Sequence, residues 1–70
     1  MRVVHKWRPR GKGGDNECTA ESGDISYKLP EFIEKVEGII EDGLDFDDYD
    51  TYRYYIVANN GEILFERKLK

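Results

Sequence analysis

Cysteine, histidine, methionine and tryptophan occur once each in the 70 residues, proline occurs twice, and no apolar run approaches the roughly 20 residues a membrane span needs. Each shortage excludes something. Cys18 alone cannot close an internal disulfide, and with His5 as the sole imidazole no closed four-ligand zinc site of the Cys/His kind can be built. The core is therefore expected without a covalent or metal staple, and no cofactor is expected. No G-x-S-x-G, Walker or dinucleotide fingerprint occurs, and one Cys with one His offers a nucleophile and a base without a group to orient them. Both read as structural residues, so no catalytic residue is expected and the chain is not read as an enzyme. The first residues are basic, without the apolar stretch of a signal peptide, which points to a cytoplasmic protein with no membrane contact.

Aromatic residues, by contrast, are plentiful: Trp7, five tyrosines and three phenylalanines within a chain that is 39% hydrophobic and 37% charged. That is too apolar for a disordered tail and long enough for one small domain, residues 1–70, with a single core. The net charge of −4 conceals a strong polarity. Residues 1–14 carry five basic side chains and no acid, residues 15–50 carry thirteen acids against Lys28 and Lys35, and residues 51–70 return to a small positive excess. Fields of one sign act on solubility, partner choice and association rate more than on fold.

Alternation from Arg2 to Arg8, with Val3, His5 and Trp7 on one side, predicts a half-buried strand that Pro9 ends. The glycine-rich run from Pro9 to Asn16 predicts a flexible connection. A second alternating strand is expected from Cys18 and Ala20 through Ile25, Tyr27 and Leu29, with Gly23 a bulge or break. Pro30 suits the first turn of a helix, where Phe32, Ile33, Val36, Ile39, Ile40 and Leu44 form one apolar stripe and Gly43 is the expected C-terminal cap. Gly38 lies inside that helix, either for close packing on a sheet or at a cost. Finally, Thr51–Ala58 and Glu62–Leu69 flank Asn60-Gly61, the signal of a type I′ hairpin. With that turn Ile56 faces Phe65, Tyr54 faces Arg67 and Tyr52 faces Leu69 on the core face. Val57 faces Leu64, Tyr55 faces Glu66 and Arg53 faces Lys68 on the other.

The order strand, strand, helix, strand, strand predicts an α+β domain: a four-stranded antiparallel or mixed sheet with one helix packed on a face. If the first and last strands lie side by side at the centre, the topology resembles the β-grasp.

Two charged segments are the candidates for function. Glu41, Asp42, Asp45, Asp47, Asp48 and Asp50 crowd the negative end of the helix dipole, where fold stability disfavours them. An EF-hand opening at Asp45 would need Gly where Asp50 stands and Glu where Ile56 stands, so the run is not a calcium loop. Interleaved with Phe46, Tyr49 and Tyr52, these carboxylates suit a basic, nucleic-acid-binding surface on a protein partner, replacing phosphates, with the aromatics as anchors. On this reading the chain inhibits or modulates a nucleic-acid-handling protein. It resembles, in type and not by motif, small acidic phage-encoded antagonists of host defence such as anti-CRISPR proteins, which would place it in the host cell cytoplasm. The alternative is direct nucleic-acid binding by Lys6, Arg8, Arg10 and Lys12 of the first strand and loop, with Arg53 and Lys68; the acidic net charge opposes it. A homodimer through a sheet edge is a further expectation.

Overall fold

The computed structural model describes residues 1–11 and 17–70. It has the expected composition: β1 (Arg2–Pro9), β2 (Cys18–Glu21), α1 (Leu29–Gly43), a 3₁₀ turn (Phe46–Asp48), β3 (Tyr49–Val57) and β4 (Ile63–Lys68). The four strands form one sheet in the order β2-β1-β3-β4, every neighbouring pair antiparallel, and α1 packs on one face. Among the described residues no helix is long and apolar enough to cross a membrane.

The centre of the sheet is β1 beside β3, so the β-grasp-like arrangement is not found; that would require β4 against β1. Side-chain chemistry explains the choice. Strand β3 carries Tyr52, Tyr54, Ile56 and Val57, all buried, whereas β4 reads ILFERK and has no buried residue. The apolar strand takes the position flanked on both sides, and the charged strand takes an edge, where its Glu66, Arg67 and Lys68 discourage pairing with another chain.

Val3 of β1, Phe32, Val36 and Ile40 of α1, and Tyr52, Tyr54 and Ile56 of β3 form the core, with Trp7, Ile25, Leu29 and Phe65 packed around it. Tyr54 and Ile56 are fully buried. The helix is narrower in its apolar face than the sequence stripe implies, since Ile39 remains 73% exposed. Its polar side is tied down by Glu37, whose Oε1 accepts from the Tyr54 hydroxyl at 2.8 Å and also from Arg67 of β4. These ties hold α1 over the β3–β4 half of the sheet.

Several local expectations are corrected. Ile25, Tyr27 and Leu29 do not extend β2, which ends at Glu21. Beyond it Ser22 still bonds to Val3, its amide donating to the Val3 carbonyl and its hydroxyl accepting from the Val3 amide, and the Ile25 amide donates to the Met1 carbonyl. The chain then turns away from the sheet edge to reach the helix, so alternation over these residues reflects contact with α1, where Tyr27 meets Phe32 edge-on, and not a strand. Gly43 is the last helical residue and has no positive φ; the cap is Leu44, in extended conformation, its amide donating to Ile40 at 3.0 Å. Leu44 can serve because it packs against the core, which holds the exit without a left-handed residue. Gly38 approaches nothing within 4 Å, so close packing is not its role.

The hairpin turn also differs. A type I′ turn needs positive φ at both central residues, yet only Gly61, at φ 89°, has it. The Ala58 amide donates to Glu62 and the Gly61 amide to Ala58, a three-residue loop of Asn59, Asn60 and Gly61. Val57 consequently faces Ile63 in place of the expected Leu64, Ala58 faces Glu62, and Asn59 lies in the loop. A bulge at Leu64 then restores the register, so that Ile56 faces Phe65, Tyr54 faces Arg67, Tyr55 faces Glu66 and Arg53 faces Lys68 as the alternation predicts. Burial of Ile56 fixes that register more strongly than the turn does.

Candidate functional site

The carboxylates Glu41, Asp42, Asp45, Asp47, Asp48 and Asp50 are exposed, spread over the end of α1, the 3₁₀ turn and the first residues of β3. None makes an ion pair among the described residues. Asp45 has a local duty, its Oδ1 accepting from the Asp47 amide at 3.0 Å as the cap of the 3₁₀ turn. The aromatic anchors expected among them are not on the surface. Tyr52 is buried, and Phe46 and Tyr49 are half-buried, each meeting Tyr52 edge-on with centroids 6.1 and 5.4 Å away. Alternation in β3 dictates this: Tyr52 shares the inward face with Tyr54 and Ile56, so it belongs to the core. The band that remains is a carboxylate surface without exposed aromatic anchors.

Tyr52 has a second partner inside. Its hydroxyl lies 2.7 Å from His5 Nδ1, in a hydrogen bond whose donor is set by the imidazole tautomer. Burial lowers the His5 pKa below 6.5, and burial together with Tyr49 raises that of Tyr52 above 10.0. Cys18 faces Trp7 across β1–β2, away from His5, which faces Ala20. The single thiol and single imidazole therefore form no pair directly across the strands.

The basic residues are rearranged more than the acidic ones. Strands β1, β3 and β4 place Lys6 opposite Arg53 and Arg53 opposite Lys68, one row of three cations directly across three strands. Arg8 lies two residues along from Lys6 on the same face. This is the face turned away from α1, because the alternating residues Val3, His5 and Trp7 point toward the helix. Like charges directly opposite in a sheet are unfavourable. Two acids relieve the middle of the row: Glu17 lies 3.3 Å from Arg53 and Glu66 lies 3.8 Å from it. Arg53 Nε is buried without a hydrogen-bond partner among the described residues. Lys6, Arg8 and Lys68 make no ion pair among those residues, while Arg2, further along β1, is paired with Glu21.

Of the remaining candidates, Arg10 is engaged away from this row, its Nη1 donating to the Asp47 carbonyl at 3.3 Å and its amide to Asp48. Lys12, with most of the expected flexible connection over 9–16, lies outside the described residues, whereas Pro9 is placed as the last residue of β1.

Tyr55 belongs to this face and to neither candidate set. It stands opposite Val4 on one side and Glu66 on the other, with Lys6 Nζ 5.7 Å from its ring centroid. Val4 and Val57, on the same face, are buried although α1 lies on the other side of the sheet. Alternation with Arg53 assigns Tyr55 its face from sequence, but its neighbours on β1 depend on a pairing between residues about fifty apart in sequence.

A groove also opens on the helix side, between α1 and the β1–β2 half of the sheet that the helix leaves bare. Its two stretches, about 330 and 660 Å³, share His5 and Ile39 and are mainly apolar. Among the described residues no three carboxylate, imidazole or thiol groups converge as a metal site. Comparison with family models, curated proteins and solved structures finds no match to this chain.

Proposed function

We propose that the protein is a non-enzymatic nucleic-acid-binding module that holds phosphates on the helix-free face of its sheet. One observation supports this above the others: the in-register row Lys6, Arg53, Lys68, with Arg8 beside it, on a face that no second layer covers among the described residues. Glu17 and Glu66 relieve Arg53, and bound phosphates would offset the charge of Lys6, Arg8 and Lys68, which make no ion pair among the described residues. The acidic net charge, which counts against this reading at the level of the whole chain, resides largely in residues 15–50, of which Glu17 meets the row at Arg53. Affinity would be modest and its salt dependence shallow, because only a few cations contribute to counterion release.

The test is binding of a labelled oligonucleotide, followed by fluorescence anisotropy across a salt series, for the wild type and for Lys6→Gln/Lys68→Gln. The double variant should bind more weakly with a shallower salt dependence, by about 0.7 in slope for each single-strand phosphate it no longer neutralises. No binding by the wild type at low salt, or equal binding by both proteins, would overturn the reading.

A second reading is favoured by the six exposed carboxylates that have no ion-pair partner among the described residues. In it the acidic band occupies a basic surface on a nucleic-acid-handling protein and inhibits or modulates it. Co-purification with such a partner, lost when Asp47, Asp48 and Asp50 become Asn and kept in the Lys6→Gln/Lys68→Gln variant, would put this reading first.

A further inference from the structure

We infer that the nucleic acid taken by this face is single-stranded, and that one unpaired base stacks on Tyr55 beside the cation row. This rests on the proposed function and specifies its ligand. Three observations lead to it. Tyr55 lies on the central strand β3, flanked across the ladder by Val4 of β1 and, two residues along, by Val57, so its surroundings on that side are apolar. The row Lys6, Arg53, Lys68 crosses the sheet two residues from it on the same face. Lys6 Nζ sits over the ring at 5.7 Å, so a flexible cation occupies the π-face of a partly exposed ring, where an arriving base would displace it.

Shape then separates single strands from duplexes. Duplex sequence is read by an element that enters a groove, usually a helix or a two-stranded ribbon. Here the basic residues lie on the face of a four-stranded sheet, and the one long helix is on the opposite side. A duplex also keeps its bases stacked on one another, leaving nothing for Tyr55 to hold. An unpaired base has a free π-face, and stacking on an aromatic tolerates any sequence. Lys6 would leave the ring for a phosphate as the base arrives, exchanging a weak cation–π contact for a charge-assisted one. With one aromatic on the face, about one base is stacked and the rest of the affinity is electrostatic.

The experiment compares a short oligothymidylate with a duplex of the same length by fluorescence anisotropy at one low salt concentration, for the wild type, Tyr55→Phe and Tyr55→Thr. Threonine keeps a strand-favouring side chain at the position. The single strand should bind at least several-fold tighter than the duplex, Tyr55→Phe should retain that affinity, and Tyr55→Thr should lose about tenfold. As a measurement on the unaltered protein, irradiation with a bromodeoxyuridine oligonucleotide should give an adduct that peptide mass spectrometry places on Tyr55. Duplex binding as tight as single-strand binding overturns the inference. So does an unchanged affinity of folded Tyr55→Thr, or an adduct found only elsewhere; in these cases salt-dependent binding through Lys6 and Lys68 still stands. Absence of binding by both nucleic acids overturns the inference together with the function it rests on.

Discussion

Tyr54 and Glu37 show how single groups decide what the helix covers. The Tyr54 ring is fully buried, and its hydroxyl donates to Glu37, which also receives Arg67. Burial raises the Tyr54 pKa strongly, with Glu37 adding to the rise, so the phenol stays protonated and remains a donor. Glu37→Ala leaves that hydroxyl without its acceptor and releases α1 from β4, and should cost about 1–3 kcal/mol in chemical denaturation. A cost below a few tenths of a kcal/mol would mean that water replaces the carboxylate freely. His5 supplies the pH dependence. Its pKa is lowered by burial, so the unfolded chain binds the proton more readily than the folded one. The contribution of neutral His5 is fully present above its unfolded value of 6.5 and is lost as pH falls from there through the lowered folded value. Tyr52 mirrors this at the alkaline end, where stability present below 10.0 is lost as pH rises toward its raised folded value. Thermal melts between about pH 7 and 5 should show a steeper loss for the wild type than for His5→Gln; parallel curves would assign the acid limb to other groups.

Within elements, the departures from sequence expectation share a cause: a local pattern carries no information about its tertiary neighbours. Gly38 is exposed in mid-helix with open space where a side-chain methyl would stand, so Gly38→Ala should stabilise by about 0.5–1 kcal/mol through the unfolded state alone. A destabilised Gly38→Ala would reveal a close contact at that position after all. Gly61 has the opposite standing. Its φ of 89° is one that L side chains rarely adopt, so Gly61→Ala should destabilise by more than about 1 kcal/mol even though the added methyl meets no atom. In β3, Ile56→Ala should cost about 2–5 kcal/mol, a loss a small unstapled core hardly tolerates. If that variant melted with the wild type, the register that places Ile56 opposite Phe65 would be wrong.

At the scale of the whole molecule, the acidic band and the cation row lie apart in a way that the chain order only partly shows, although Glu17 and Glu66 meet Arg53 on the cation face. Exposed acids run from the end of α1 to the start of β3, while Lys6, Arg8, Arg53 and Lys68 share the sheet face turned from the helix. Such a distribution orients an approaching polyanion, and the acids slow it by repulsion across any path that passes them. Replacing Asp47, Asp48 and Asp50 with Asn should therefore leave the fold intact and speed association with a single-stranded oligonucleotide at low salt, an effect that disappears as salt rises. Slower association in stopped-flow measurements would count against the sheet face as the binding surface.

How much of this is legible in the sequence follows from the range of each interaction. The helix is readable from Pro30 and the spacing of Phe32, Val36 and Ile40, and β1 and β3 from alternation, because those patterns report which side of an element meets a core. The pairing of Ile56 with Phe65 is readable too, since burial fixes register even where the turn that closes the hairpin differs from the expected type. The carboxylate band is visible as a run, but adjacency in sequence groups Tyr52, Tyr49 and Phe46 with it when their ring contacts put them with the core. The basic row is legible only in its Arg53–Lys68 half, which the hairpin register supplies. Lys6 and Arg53 are adjacent only because β3, and not β4, pairs with β1. The sequence by itself determined the order of strands and helix along the chain and the inward faces of β1, α1 and β3, all set by local periodicity. The tertiary structure alone decided strand order, and with it which distant charges share a face, because that order depends on the competition between β3 and β4 for a place flanked on both sides.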